Sequence, residues 1–285
     1  MPKSNDNGRV LEYLIVKSIK EMHSNNCSFS ENTIRQNKRD SFKLRTIDGN
    51  TLSHYKKNVP IISNWIIQNF LEQDISVLRI SDNAGKKGNV TDIRIYSENT
   101  SLNISCKNNN LSIKHQRPGA TPKQFGLSKD DSKLLLFKSK YKEINSKFFK
   151  LCKASNEGLK EYNEISDKFK KQNLYEPICK IVNDFINKNS DKGEIFQNFL
   201  LGNINYKQIV LWKKNIEIKS FDNFSKSKKV SSELDNRGYI IVNFHNNIIL
   251  SFRLHNASSR ITEKGSLKFD TKLEIDIPTH KLNCL

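Results

Sequence analysis

Apolar positions recur at helical spacing over residues 8–23, where Leu11, Leu14, Ile15, Ile19 and Met22, with Ser18 among them, share one side. Residues 24–58 are polar and irregular and read as a loop-rich insertion. Pro60 is placed to open a second helix, through Ile61, Trp65, Ile66 and Phe70 to about Gln73. Three short β-rich runs follow, Ile75–Ile80, Val90–Tyr96 and Leu102–Lys107. The segments SDNAGKKGN and SENTS separate them as turns, so the second and third predict a hairpin.

Residues 108–130 are polar and basic and are broken by Pro118, Gly119 and Pro122. From 131 to 171 the period is helical again, with a break near Ser155–Gly158, and shorter helices are expected at 176–188 and 194–201. The rest is β-rich: Gln208–Trp212, Tyr239–Phe244, Ile248–Leu254 and Leu267–Ile277, with 222–237 as a polar linker. No repeat is visible. The pattern predicts an α/β chain, a mixed sheet flanked by helices. It reads as one domain over 1–285, with core elements at about 8–130 and 205–285 and a helical insertion at about 131–204.

No apolar run is long enough to cross a membrane, and MPKSNDNGRVLEY has no apolar secretory segment, so a cytoplasmic protein is expected. The five cysteines and six histidines are scattered without a CxxC pair, which argues against zinc and fits a reducing compartment.

Charge changes the picture. Lys and Arg number 48 against 30 Asp and Glu, a net charge of +18, which favours a polyanionic partner, nucleic acid before membrane. The wealth of Lys, Asn and Ile, with only four Ala, fits AT-rich codons. Codon bias of that kind inflates Lys, but Glu is also AT-rich in codon use and has not kept pace, so the positive excess still favours nucleic-acid binding.

The predicted hairpin carries chemistry. Alternate strand residues share a face, so Asp92, Arg94 and Tyr96 lie opposite Ile93 and Ile95, and Ser105 and Lys107 lie opposite Ile104 and Cys106. The polar faces bring a carboxylate beside an ammonium, the pair a metal-dependent phosphodiesterase needs. The carboxylate suits Mg²⁺, the backbone carbonyl of Cys106 is a further candidate ligand, and the lysine suits charge stabilisation at a scissile phosphate. An ordinary surface ion pair is the competing reading. A second carboxylate is expected, yet the position two before Lys107 is Ser105. Glu12, set among Leu11, Ile15, Val16 and Ile19, is the best replacement, with Glu72 as fallback. Glu98 falls in the hairpin turn and reads as solvated. Two other segments offer groups for phosphates and base edges. They are Lys114, His115 and Arg117 after the hairpin, and Arg253, His255, Asn256, Ser258, Ser259 and Arg260 near the end.

The strings GNVTDIRI, ISCKNNN and LSIKHQRP together resemble the core of HaeIII-type restriction endonucleases, of the PD-(D/E)xK nuclease superfamily. GRVLEY resembles the Gly-x-x-x-Glu first helix of that superfamily, and SFRLHNASS with SLKFD resembles the C-terminal part of such enzymes. The resemblance falls in islands at about 8–22, 78–118 and 239–277 and implies an Mg²⁺-dependent type II enzyme cutting double-stranded DNA at a short palindrome, with GGCC the implied target. By position, Asp92 matches the metal-binding Asp, Lys107 the catalytic Lys and Glu12 the first-helix carboxylate, while Ser105 departs from the usual Asp or Glu. Such an enzyme leaves 5′-phosphates, acts as a homodimer on DNA and pairs with a cognate DNA methyltransferase. The alternatives are a non-catalytic basic DNA-binding protein and a nuclease of the same fold without a fixed site. A modification methyltransferase is disfavoured, since no Gly-rich cofactor loop follows a strand and no Pro-Cys nucleophile motif occurs.

Overall fold

The computed structural model describes residues 4–285 except 71–73, 82–83, 86–87 and 156–157, with side chains from residue 6 on. In chain order the first elements are α1 (Ser4–Met22), β1 (Cys27–Phe29), α2 (Glu31–Ser41), α3 (Gly49–Ile67), β2 (Ile75–Arg79), β3 (Ile93–Tyr96), β4 (Ser101–Asn108) and β5 (Lys114–Gln116). Then come α4 (Ser132–Ala154), α5 (Glu176–Lys188) and α6 (Gly193–Leu201). The chain ends with β6 (Tyr206–Leu211), β7 (Asn215–Phe221), β8 (Val230–Leu234), β9 (Ile240–Phe244), β10 (Ile249–Asn256), β11 (Leu267–Leu273) and β12 (Thr279–Asn283).

These elements form two compact units, the first of residues 1–111, 203–224 and 277–285, the second of 112–202 and 225–276. The first unit is built on a seven-stranded mixed sheet in the order β1-β2-β3-β4-β6-β7-β12. The β1–β2 and β4–β6 pairs are parallel and the others antiparallel. Ile93, Ile95, Ile104, Cys106, Ile209 and Ile218 join one core with Leu11, Ile15 and Ile19 of α1 and Tyr55, Val59, Ile62 and Ile66 of α3. The second unit holds a five-stranded antiparallel sheet, β5-β11-β10-β9-β8, with α4, α5 and α6. Its core is aromatic: Phe125 stacks on Phe196 with centroids 4.1 Å apart, and Phe252 tilts against Phe269 at 5.5 Å.

The mixed α/β architecture agrees with the sequence, and three local expectations do not. Residues 24–58 are ordered, containing β1, α2 and the start of α3. Ser30 caps α2 by accepting from the Thr33 N–H, and Asp48 caps α3 by accepting from the Thr51 N–H. Pro60 lies inside α3 on its exposed side, while Tyr55, Val59, Ile62 and Ile66 carry the buried stripe. The stretch 222–237 is not all linker, for β8 lies within it and pairs with β9. Glu72 lies outside the described residues. Among the described residues no helix is long and apolar enough to cross a membrane, and the five cysteines are free thiols.

Candidate active site

An Asx turn sets up Asp92. The Asn89 side-chain carbonyl accepts from the Thr91 N–H at 2.9 Å and from the Thr91 hydroxyl at 2.7 Å, just ahead of β3. Asp92 is then tied to both neighbouring strands: its N–H donates to the Ile104 carbonyl at 2.7 Å and its carbonyl accepts from the Ile80 N–H at 2.8 Å. Its Oδ2 accepts from the Cys106 N–H at 2.7 Å and from the Ser105 hydroxyl at 3.2 Å. Oδ1 accepts from no protein group among the described residues. Within a strand the N–H and C=O of one residue leave by the same edge. The Cys106 carbonyl therefore emerges on the edge where Asp92 sits.

Glu12 faces this place from α1. Its Oε2 accepts from Nη2 of Arg79 at 2.8 Å, and the same nitrogen lies 3.0 Å from Oδ2 of Asp40 on α2. Arg79 and Asp40 are fully buried. Helix α2 docks on the end of β2 through hydrogen bonds. Asn32 and Gln36 donate to the Arg79 carbonyl, the Arg79 N–H donates to the Thr33 hydroxyl, and Asn37 accepts from the guanidinium. Burial, aided by the negative charge of Asp92, pushes the Glu12 carboxyl up to about 7 against the opposing pull of Arg79. Burial also raises the Cys106 thiol well above its usual range. Asp92 and Glu12 add to that rise while Lys107 and Arg79 oppose it, so all four charged groups act on one buried thiol. Lys107 is half-buried on β4, two residues after Ser105 and beside Val210 of β6.

The remaining candidates are in the second unit, where the sheet gathers two distant segments. His115 stands opposite Asp270 in the β5–β11 register, and Arg253 stands opposite the same Asp270 from β10. His115 Nδ1 lies 2.6 Å, and His255 Nε2 2.9 Å, from Oδ1 of Asp270. Burial acts to raise the Asp270 carboxyl, but the two imidazoles outweigh it and hold the group below the usual carboxylate range. Arg117 is exposed, with Nη1 donating to the Leu267 carbonyl at 3.2 Å. Lys114 points elsewhere, its ammonium donating to the Phe199 carbonyl at 2.8 Å and lying 3.9 Å over that ring. Asn256 donates to the Ser258 carbonyl at 3.0 Å, and the Ser258 hydroxyl accepts from the Arg260 N–H at 3.1 Å, so these residues form a local turn. Ser259 and Arg260 are exposed beside it.

A family model for the HaeIII restriction endonuclease matches residues 8–233 of this chain. The chain belongs to the HaeIII restriction endonuclease family. It is a type II restriction endonuclease by that membership, a site-specific deoxyribonuclease and hence a DNA-binding hydrolase. The chain is also 27% identical to the type II restriction enzyme HaeIII of Haemophilus aegyptius, over 97% of its own length and 95% of the relative's. No solved structure matches it.

For a HaeIII-family enzyme, the donors gathered at β3 and β4 suit a hard divalent cation. They are the free Oδ1 of Asp92, the Cys106 carbonyl and the Glu12 carboxylate, all oxygen. The Glu12 carboxyl is raised chiefly by burial and next by the negative charge of Asp92, and a cation held between the two would act against both. No cluster of three or more His, Cys, Asp or Glu side chains arranged for a metal occurs among the described residues. Sequence reasoning missed Arg79, Asp40 and Asp270. Asp270 sits in SLKFD, but nothing in that string points to His115. Gln208 was also missed. It is buried in register with Ser105, and its Nε2 has no hydrogen-bond partner among the described residues.

Proposed function

We propose that this enzyme hydrolyses double-stranded DNA at a short palindrome in an Mg²⁺-dependent reaction leaving 5′-phosphates, with Asp92, Glu12 and the Cys106 carbonyl holding the cation and Lys107 acting at the scissile phosphate. One observation carries the reading: Asp92 has one carboxylate oxygen fixed by the Cys106 N–H and the Ser105 hydroxyl, and the other left open beside Glu12. A bound Mg²⁺ supplies positive charge against the phosphate being attacked. The residues do the rest. The Ser105 hydroxyl, which stands where the superfamily carries an acid, orients Asp92. Arg79 holds Glu12. The Lys107 ammonium meets the charge that develops on the phosphate and takes part in proton transfer with the attacking water.

Binding to the duplex would draw on the net charge of +18, with Arg117, His115, Arg253, His255, Asn256, Ser258, Ser259 and Arg260 as the groups that reach phosphates and base edges. Lys114 has a lesser part in this reading, since its ammonium is already committed to Phe199. The proposed target is GGCC, read by a homodimer, and the proposed partner is a cytoplasmic methyltransferase that protects that sequence. The test is a digest of unmethylated phage DNA with Mg²⁺ and with EDTA. Discrete fragments with 5′-phosphate ends at GGCC, seen only with Mg²⁺, are expected. A smear would remove the fixed site, and cutting in EDTA would remove the metal.

A further inference from the structure

The second unit holds a cleft of about 350 Å³ whose lining joins Arg253, His255 and Asn256, proposed above to reach the duplex, to residues that reading does not use. Cations outnumber carboxylates in its lining: Lys170, Lys171, Arg237 and Arg253 against Asp167 and Glu176. Three of the cations are already paired. Lys170 lies 2.7 Å from Asp167, Lys171 lies 3.9 Å from Glu176, and Arg237 lies 2.6 Å from Asp235. Arg253 is exposed, and its guanidinium makes no hydrogen bond or ion pair among the described residues. The walls are aromatic. Tyr175 and Tyr239 line the cleft, the Arg237 guanidinium lies 4.7 Å over the Tyr239 ring, and the Tyr175 hydroxyl donates to Asn256 Oδ1 at 3.5 Å. Gly238, at φ +83°, makes the turn that presents Arg237 and Tyr239 side by side.

A free guanidinium and a guanidinium–tyrosine stack within one small cleft match two parts of a nucleotide: the phosphate and the flat base. The volume suits one small ligand and is too small for a duplex groove. We propose that this cleft binds a single nucleotide unit, the phosphate at Arg253 and the base against Tyr239 and Tyr175. The inference borrows from the nuclease reading only the expectation that DNA is at hand. The same chemistry is offered by a nucleotide unstacked from a DNA strand and by a free mononucleotide.

The test is fluorescence anisotropy of a fluorescein-labelled oligothymidine with the full-length protein in EDTA, so that nothing is cut. Tyr239→Ala, which leaves the charge unchanged, is expected to weaken binding by about 5-fold to 100-fold, the usual range for losing one stacked base. Tyr239→Phe should bind as the wild type does, and Arg253→Ala, an exposed change that spares the fold, should weaken binding more than Lys188→Ala, an exposed charge away from the cleft. Displacement of the oligonucleotide by dGMP would assign the cleft to mononucleotides as well, and failure to displace it would assign it to strands alone; both support the proposal. Equal binding by Tyr239→Ala and wild type, with Arg253→Ala no worse than Lys188→Ala, would overturn it. Phage-DNA digestion run alongside keeps the two readings apart: discrete cutting with Tyr239-indifferent binding removes only the cleft, and Tyr239-dependent binding without cutting removes only the nuclease.

Discussion

Arg79 is the residue on which the candidate site rests, and Arg79→Met tests that directly. The guanidinium is 0% exposed and bridges Asp40, also 0% exposed, and Glu12, 17% exposed. Methionine fills much of the same space but leaves two carboxylates facing each other in a dry interior. Removing one partner of a buried ion pair costs about 3–5 kcal/mol. Asp40 keeps Arg39, which holds it at 2.7 Å from the surface side, so the lower end, about 3 kcal/mol, is expected. That corresponds to a fall in Tm of about 10 °C for a chain of this size. Both tryptophans, Trp65 and Trp212, belong to the first unit, so urea unfolding followed by tryptophan fluorescence reports on the unit that contains Arg79. In a Glu12→Gln background the loss should shrink, because a neutral amide no longer needs the guanidinium. A loss below about 1 kcal/mol, the same in both backgrounds, would refute the view that Arg79 neutralises Glu12.

Further outcomes follow from the same geometry. Glu12 is raised from 4.5 to about 7 in the folded state, so between those values the unfolded chain gives up its proton first. Wild-type stability should therefore fall relative to Glu12→Gln as pH rises through that window, by about 3 kcal/mol in total, read from urea unfolding at each pH. Millimolar Mg²⁺ should return part of that loss at neutral pH in the wild type and none in Asp92→Ala, which a thermal melt would show. Ser105→Ala removes one hydrogen bond to Asp92 and leaves the Cys106 N–H in place, so cleavage should fall by about tenfold or less, as the loss of a single neutral hydrogen bond implies.

The readable parts of the sequence were those whose pattern faces a single apolar core. Helix α1 and the β3–β4 hairpin were visible because Leu11, Ile15 and Ile19 recur at helical spacing and Ile93, Ile95 and Ile104 alternate. That alternation also placed Asp92 and Ser105 together, as their hydrogen bond confirms. Helix α2 was invisible for a physical reason: it packs through Asn32, Thr33, Gln36 and Asp40 onto the backbone and side chain of Arg79, and no hydrophobic period marks such a face. In α3 the Pro60 signal misled. Proline can open a helix, but here it rides the solvent side, and the Asp48 cap twelve residues earlier is the true start. Strand β12, THKLN, is a polar edge strand whose register with β7 comes from pairing alone. Strand β7 did alternate, with Ile216 and Ile218 inward, and its signal was passed over beside the stronger run of β6. Arg79 and Asp270 act on groups far off in sequence, and no local pattern reports such a meeting.

The central claim is that Asp92 and Lys107 form the catalytic pair. The direct measurement compares plasmid cleavage with Mg²⁺ by the wild type, Asp92→Asn and Lys107→Ala, with duplex binding measured on the same preparations by gel shift. The account predicts that both variants bind the duplex and lose cleavage by orders of magnitude. Cutting by either variant at the wild-type rate would contradict it, and would reduce the hairpin pair to an ordinary arrangement of charges on a basic protein.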